Sequence, residues 1–298
     1  MHHGLVDIHF HGQGGLDVMA GDPDELLRLS LRVQKQGVAG FLATFISSPR
    51  AETLAALENV KKVQGRERGA KILGVHLEGP FLHPERKGAH NPRNLRPPDL
   101  RETREWIDAG EGIVKLVTVA PELPGQADVI RFLVKKGVRV SMGHTTADSG
   151  QARRGKRLGA RSVTHLFNAM NPIHHREPSL AGFALLDPDL YTELIADGVH
   201  VSDEITKLVF RVRPPERIIL ISDGFFLTGL EDKEVFSFAG MKVRLFPDGS
   251  LRKLDGTLAG GSFTLQAIVE RVTRLGLLPP SRVLAMASSN PLRMLGLQ

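Results

Sequence analysis

Side chains that can ligate a metal recur in this sequence at the ends of short apolar segments. The six with this placement are His9, His11, Glu78, His144, His165 and Asp223. An isolated buried histidine is usually a hydrogen-bonded core residue, but burying six titratable groups together is costly unless a cation neutralises them. Cysteine is absent from the chain, and shells of histidine and carboxylate suit zinc, iron, manganese or cobalt. The pattern therefore predicts a divalent metal site, with zinc or iron expected.

Eight apolar segments of strand-like composition, separated by helical patterns, carry these residues. The segments span residues 5–11, 40–44, 72–78, 113–119, 138–144, 162–167, 192–197 and 217–223. Strands that alternate with helices favour parallel pairing, and eight such units close a (β/α)₈ TIM-type barrel, an α/β fold. Working residues in such barrels lie at the C-terminal ends of the strands. Because residues two apart on a strand face the same side, His9 and His11 should both point inward.

The segments between the strands carry helix signals. Asp22 is placed to cap a helix that begins at Pro23, with Glu25 positioned to complete a capping box. A second helix is expected from about residue 51 to residue 62, where leucine and valine recur at helical spacing.

A different pattern follows the eighth strand. Short antiparallel strands are expected at 235–238, 242–246 and 250–254, within a β-hairpin insertion at about 232–258, and helices at 264–275 and 280–288. We interpret residues 1–298 as one catalytic barrel that includes this insertion and the C-terminal helices.

The charge of the chain is basic, with 39 Lys and Arg against 33 Asp and Glu, a net charge of +6. The basic residues are scattered, and one Trp and one Tyr provide no stacking platform for nucleic acid. Nucleic acid is therefore not expected as a partner. The sequence contains no run of about 18 apolar residues, so no membrane span is expected. The first residues do not form a basic segment followed by an apolar one, so no secretory signal is expected either. A cytoplasmic location is expected.

Eight segments of the chain, in order, resemble the signatures of the N-acetylglucosamine-6-phosphate deacetylase family of the amidohydrolase superfamily. They are HLEGPF (76–81), KGAHNP (87–92), GHT (143–145), THLFNAMN (164–171), REP (176–178), DGVH (197–200), SDG (222–224) and DGTLAG (255–260). The family carries a small β-sandwich built from residues before the first barrel strand and after the last helix. Nearly all of that sandwich is missing from this sequence, which makes the chain either a fragment or a natural variant without it.

The resemblance implies roles for individual residues. Glu78, His144 and His165 would hold the main metal ion, and His9 and His11 a second one, so that one or two ions bind per chain. Asp223 would be the general base and then the general acid. The residues implied in binding a phosphorylated amino sugar are His90 and His200 for the sugar, Asn168 and Ala169 for its phosphate, and Arg176 for the phosphate in a neighbouring subunit, which implies a homodimer.

Two further residues allow more than one interpretation. Many members of the superfamily bridge two metals with a modified lysine from strand four, but Lys115 lies several residues before the end of that strand, so we do not expect this role. Asp197 either orients its neighbours or is a structural carboxylate.

The resemblance implies metal-dependent hydrolysis of the N-acetyl group of N-acetylglucosamine-6-phosphate, giving glucosamine-6-phosphate and acetate. The chemistry of the residues agrees with metal-dependent hydrolysis of an amide. Two alternatives stay open. One is a related amidohydrolase that acts on another N-acyl sugar, including unphosphorylated ones, or on a cyclic amide. The other is a metal-binding chain made inactive by loss of the β-sandwich.

Overall fold

A single sheet of eight parallel strands forms the centre of the protein. The computed structural model describes residues 4–19, 22–230, 235–238 and 241–297. The eight strands follow one another in the sheet in the order of the sequence. They are β1 (Leu5–Phe10), β2 (Val38–Ile46), β3 (Lys71–Glu78), β4 (Val114–Val119), β5 (Arg139–Met142), β6 (Ser162–Val163), β7 (Tyr191–Leu194) and β8 (Ile218–Leu220).

The sheet closes on itself between its first and last strands. Phe10 forms a parallel bridge with Gly224, just beyond the end of β8. The backbone N–H groups of His11 and Gly12 both donate to the carbonyl oxygen of Gly224, at 2.7 and 3.0 Å. Closure removes the sheet edges, as in a barrel. The (β/α)₈ TIM-type barrel expected from the sequence is confirmed.

Helices occupy the connections between strands and continue after the last strand. They are α1 (Pro23–Gln34), α2 (Arg50–Val63), α3 (Leu100–Gly110), α4 (Gln126–Lys135), α5 (Ser149–Leu158), α6 (Leu180–Leu186), α7 (Asp203–Val212), α8 (Leu265–Arg274), α9 (Pro280–Met286) and α10 (Ser289–Leu295). Short 3₁₀ helices lie at Pro84–Arg86, Pro92–Asn94 and Pro215–Arg217. The last helix, α10, lies beyond those that the sequence predicts.

Helix α1 begins as its sequence predicts, with one difference. The side chain of Asp22 accepts a hydrogen bond from the backbone N–H of Glu25 at 2.8 Å. The Glu25 carboxylate contacts Arg28 instead, at 3.2 Å, so only half of the expected capping box forms. The side chains of Leu26, Leu29 and Val33 are buried on one face of the helix, against the barrel.

Several strands end earlier than their sequence predicts. Strands β5, β6 and β8 end two or more residues before His144, His165 and Asp223, respectively. All three of these residues have positive φ angles, of 47°, 29° and 49°. Left-handed backbone is incompatible with a strand, so pairing stops and the chain turns at the residues that carry the candidate chemistry.

A three-stranded antiparallel sheet follows the barrel strands, as expected. Its strands are β9 (Val235–Phe238), β10 (Met241–Leu245) and β11 (Leu251–Lys253). Residues 232–234 and 239–240 of the predicted insertion lie outside the described residues. Val243 and Leu251 are buried in a small apolar cluster with Ile46 and Phe225. Since Ile46 ends β2 and Phe225 follows β8, this sheet lies over the C-terminal end of the barrel.

No helix in the described part of the chain is long and apolar enough to cross a membrane.

Candidate active site

Seven titratable side chains meet at the C-terminal end of the barrel. Two are carboxylates, Glu78 at the end of β3 and Asp223 just after β8, whose side chains are 4% and 13% exposed. The five imidazoles around them belong to His9, His11, His90, His144 and His165. All six metal-competent residues predicted from the sequence are therefore brought together by the barrel.

Glu78 lies at the centre of this cluster. Its Oε1 atom is 3.0 Å from Nε2 of His144 and 3.1 Å from Nε2 of His165. The two Nε2 atoms are themselves 3.0 Å apart. Three potential ligand atoms from three strands thus converge on one point.

His9 on β1 and His11, one residue beyond its end, lie between the two carboxylates. Nε2 of His9 is 3.4 Å from Glu78 Oε1 and 3.3 Å from Asp223 Oδ1. Nε2 of His11 is 3.3 Å from Glu78 Oε2 and 3.4 Å from the same oxygen of Asp223. Both imidazoles point inward, as the alternation along the strand predicts.

Hydrogen bonds from the opposite ring nitrogen determine which atom of each imidazole is available. Nδ1 of His144 lies 2.7 Å from the carbonyl oxygen of Arg86, and Nδ1 of His11 lies 3.0 Å from that of Thr44. A carbonyl oxygen only accepts, so Nδ1 carries the proton in both rings. In the neutral rings the lone pair is then on Nε2, which faces the carboxylates.

His90 has the opposite arrangement. The backbone N–H of Ser47 donates to Nδ1 of His90 at 3.2 Å, so this nitrogen is an acceptor and the proton is on Nε2. Nε2 lies 3.3 Å from Glu78 Oε2. Although His90 is close enough to join Glu78 and His144 in a group of potential metal ligands, it presents a hydrogen-bond donor, which suits a substrate contact better than a metal.

The cluster fits a divalent cation. His9, His11 and Asp223 form one group whose ligand atoms all lie within 4.8 Å of one another. Nε2 of His9, which faces both carboxylates, is buried without a hydrogen-bond partner. Lone pairs and negative charge in such proximity repel each other unless a cation lies among them. Histidine nitrogens with carboxylate oxygens are the donors expected for zinc or iron.

The charges of the cluster shift the pKa of its members. Burial alone would raise the pKa of Asp223, but the charge of His9 and a hydrogen bond from His11 outweigh it and lower the pKa to about 2. Burial would lower the pKa of His11, but the two carboxylates raise it to about 9. Burial lowers the pKa of His144 to about 4. Asp223 is therefore ionised at neutral pH and able to accept a proton.

Strained backbone is concentrated at this end of the barrel. Besides His144, His165 and Asp223, the non-glycine residues Phe167 and Ala169 have positive φ angles, of 77° and 49°. Such conformations cost energy and persist where the surroundings impose them, commonly at functional sites. The strain directs the side chains after β5, β6 and β8 towards the cluster.

A cavity of about 320 Å³ opens above the cluster. His200, Asn168 and Ala169, all predicted to contact substrate, are among its lining residues, as is the segment 256–260 from the end of the hairpin insertion. The volume is at the lower end of the range for small-molecule sites, about 300–1,000 Å³. The predicted ligands and the predicted substrate contacts therefore share one cavity, apart from His9 and Arg176, which do not line it.

Arg176 lies outside this cavity among the described residues. It is exposed, on the loop between β6 and α6. Its guanidinium contacts Nε2 of His175 at 2.8 Å. Within its own chain, Arg176 does not take part in the site.

Asp197 orients His200. One oxygen of its carboxylate accepts from Nδ1 of His200 at 2.8 Å, and the other accepts from the backbone N–H groups of His200 and Val199 at 2.7 and 2.9 Å. These bonds direct Nε2 of His200 away from Asp197. The first of the two interpretations of Asp197 is thus the one that the geometry supports.

Lys115 does not reach the cluster. It is the second residue of β4 and is half-buried, and its side chain lies beside Gly74, where an added Cβ would approach Cγ of Lys115 to 2.5 Å. This position agrees with the expectation that Lys115 does not bridge two metal ions.

Three residues near the site have no role that was expected from the sequence. His76 precedes Glu78 by two positions on β3, and its Nε2 atom is hydrogen-bonded to Thr118 Oγ1 at 2.8 Å. Burial and the charge of His9 hold the pKa of His76 well below its usual range. Because His76 and Glu78 are two apart on one strand, the sequence could have indicated that both face the barrel interior. The acid Glu193 in a predicted strand is a second signal of this kind. Arg252 of β11 lines the cavity without any signal in the sequence.

Comparison with known proteins identifies relatives over most of the chain. The sequence model of the amidohydrolase family matches residues 3–298. The N-acetylglucosamine-6-phosphate deacetylase of Bacillus subtilis (strain 168) is 40% identical over 261 residues, which cover 86% of this chain and 65% of that protein. The N-acetylgalactosamine-6-phosphate deacetylase of Escherichia coli O157:H7 is 36% identical over 292 residues, which cover 98% and 77%.

A solved structure is similar over nearly the whole chain. It is that of a mutant N-acetyl-D-glucosamine-6-phosphate deacetylase from Mycobacterium smegmatis in complex with N-acetyl-D-glucosamine-6-phosphate. The TM-score is 0.91 at 35% identity, with 99% of this chain and 77% of that chain covered. The chain spans between 65% and 77% of the length of these three proteins.

Proposed function

This chain belongs to the amidohydrolase family, and we propose that it hydrolyses the N-acetyl group of N-acetylglucosamine-6-phosphate to give glucosamine-6-phosphate and acetate. The observation that carries the proposal is the convergence of Glu78, His144 and His165 opposite Asp223 at the floor of the cavity. This arrangement combines a metal site with an ionised carboxylate. The reaction belongs to amino sugar metabolism.

Metal binding would use two sets of ligands. Glu78, His144 and His165 would hold the first divalent ion, and His9 and His11 the second. Such an ion acidifies a water molecule to a pKa of about 7 and polarises an amide carbonyl.

Asp223 moves the proton in this proposal. Its Oδ1 atom lies 3.3 and 3.4 Å from Nε2 of His9 and His11, at the edge of the cavity. The pKa of Asp223 is lower than usual, so the carboxylate is ionised at neutral pH and can take a proton from water. The protonated carboxyl can then return that proton to the leaving amine. Proton transfer of this kind contributes about 10²–10⁴ to the rate.

Two histidines would bind the sugar. Nε2–H of His90, whose position is fixed by Ser47, is a donor for a hydroxyl or carbonyl oxygen. His200 is held by Asp197 with its Nε2 free to face the cavity. The backbone around Asn168 and Ala169, where the chain is left-handed at Ala169, would bind the phosphate.

Arg176 would complete the phosphate site of a second subunit, and the protein would therefore act as a homodimer. A guanidinium offers paired hydrogen bonds to a phosphate dianion. Arg176 is exposed and lies outside the cavity of its own chain, which supports a role in a partner's site. A cytoplasmic location remains a prediction.

A second substrate is supported by one comparison. The N-acetylgalactosamine-6-phosphate deacetylase of E. coli O157:H7 is 36% identical over 98% of this chain. That sugar phosphate differs only in the configuration of one hydroxyl group, so the same metal site and base would serve both substrates.

Acetate release tests the proposal. The purified chain, with its metal content measured on the same sample, is assayed with N-acetylglucosamine-6-phosphate, N-acetylgalactosamine-6-phosphate and unphosphorylated N-acetylglucosamine. We expect the highest kcat/KM with the first and the lowest with the third. A higher kcat/KM for the galactosamine derivative would reassign the substrate, and equal values with and without phosphate would contradict the proposed phosphate site.

A further inference from the structure

Glu193 is a carboxylate fully enclosed by the barrel. It is the third residue of β7, its exposed fraction is 0%, and its backbone pairs with β8 at Ile219. Successive side chains on a strand point to opposite faces, so Glu193 points into the barrel while Thr192 points towards the helices. An ionised group in such a position needs compensating charge or hydrogen bonds.

The contacts of Glu193 connect two of the proposed metal ligands. Its Oε2 atom lies 3.0 Å from Nδ1 of His9 and accepts from the backbone N–H of His165 at 3.3 Å. Its Oε1 atom has no hydrogen-bond partner. One carboxylate therefore contacts a histidine from β1 and the chain segment that presents a histidine after β6.

The bond to His9 determines how that imidazole faces the cluster. An ionised carboxylate only accepts, so Nδ1 of His9 carries the proton. Nε2 then faces Glu78 and Asp223 at 3.4 and 3.3 Å. A carboxylate behind a ligating imidazole fixes the ring orientation and raises the basicity of the ligand nitrogen.

We propose that Glu193 is a positioning residue for the metal centre. Its negative charge holds His9 with Nε2 directed at the cation, and the same oxygen holds the backbone at His165. The enclosed negative charge also contributes to the attraction of a dication, because no Lys or Arg side chain bonds to it among the described residues. The proposal depends on the proposed function only in taking the cluster as a divalent metal site.

Two substitutions perturb the carboxylate in different ways, one by removing its charge and the other by moving it away from its partners. Glu193→Gln is nearly isosteric and keeps an oxygen that can accept from Nδ1 of His9, but it removes the charge. Glu193→Asp keeps the charge but withdraws it by one methylene from its two partners. Thr192→Val is the matched control, since Thr192 is equally buried on the same strand, faces the other side, and has an Oγ1 atom without a hydrogen-bond partner.

The test is a zinc titration of the chelator-stripped proteins, with binding measured by calorimetry. Loss of a partner behind a ligating histidine typically weakens metal binding by about 10–100-fold, and we expect weakening in this range for Glu193→Gln and Glu193→Asp. Thr192→Val should bind zinc as the unmodified chain does. Thermal unfolding of the metal-free proteins is measured in parallel with the titration, because a purely structural role of Glu193 would lower the Tm without changing zinc affinity.

Unchanged zinc affinity in Glu193→Gln, or in Glu193→Asp if the first variant does not fold, would overturn the proposal. An equal loss of affinity in Thr192→Val would also overturn it, since the effect would then belong to the strand and not to the carboxylate. The titration contains no sugar, so its outcome is independent of whether the chain deacetylates a sugar phosphate.

Discussion

Replacing Asp223 by asparagine should abolish most of the turnover while leaving the first metal in place. The amide has nearly the same shape as the carboxylate but cannot accept a proton. Oδ1 of Asp223 lies within 3.4 Å of Nε2 of His9 and of His11. Glu78, His144 and His165 contact one another without Asp223. The substitution therefore removes the base and leaves the first set of ligands intact.

The size of the effect follows from the role of the proton. General acid–base catalysis is worth about 10²–10⁴ in rate, which corresponds to about 2.7–5.5 kcal/mol of activation free energy. We expect kcat to fall by at least about 100-fold. KM should change less, because the proposed sugar and phosphate contacts, His90, His200, Asn168 and Ala169, are not altered.

Acetate release and metal content, measured on the same preparation of Asp223→Asn, provide the assay. Asp128→Asn is a suitable control, because it removes an equal charge from the surface of α4, where Asp128 is 70% exposed and paired with Arg131. The control should keep the turnover of the unmodified chain. Near-normal turnover of Asp223→Asn with its metal bound would show that another group is the base.

Three further predictions concern the metal count and the phosphate. The reconstituted chain should bind two divalent ions, the second more weakly, and a stoichiometry that never exceeds one in excess zinc or iron would contradict this. Arg176→Ala should lower kcat/KM by roughly 10–150-fold on the phosphorylated sugar, the cost of a lost charged hydrogen bond, with little change on the unphosphorylated one. If Arg176 acts in trans in a two-fold dimer, mixing the Arg176→Ala and Asp223→Asn proteins and letting their subunits exchange should make roughly a quarter of all sites active. Verified exchange without recovery of activity would refute that placement. Arg252→Ala should raise KM for the phosphorylated sugar by about 2- to 5-fold, a small effect because the Arg252 side chain is 32% exposed. The control is Arg244→Ala, which should leave KM unchanged, since Arg244 is an exposed residue paired with Arg252 on the same hairpin. Equal changes of KM in both variants would exclude a specific contact by Arg252.

The sequence predicts the barrel and the convergence of the candidate metal ligands because both depend on local patterns. Short apolar segments of strand-like composition specify the strands, and the C-terminal ends of parallel strands necessarily meet at one end of a barrel. His9 and His11 face inward for the same local reason. The positions of Glu78, His144 and Asp223 could therefore be predicted without knowledge of their partners.

Contacts between distant segments could not be predicted in this way. Glu193 meets His9 across 184 positions of the sequence, and the proton on Nε2 of His90 depends on Ser47, 43 positions away. The ends of β5, β6 and β8 depend on left-handed backbone at two histidines and an aspartate, and such backbone is uncommon in any residue other than glycine. Side-chain partners and strained turns are set by the folded barrel as a whole.

The most direct test of the account is the metal dependence of acetate release from N-acetylglucosamine-6-phosphate. The purified chain is stripped with a chelator, assayed, reloaded with zinc or iron, and assayed again, with glucosamine-6-phosphate quantified beside acetate. The account predicts no turnover in the stripped protein, and recovery with equal amounts of both products after reloading. Turnover that persists in metal-free protein, or its absence from folded protein that holds its metal at Glu78, His144 and His165, would contradict the central claim.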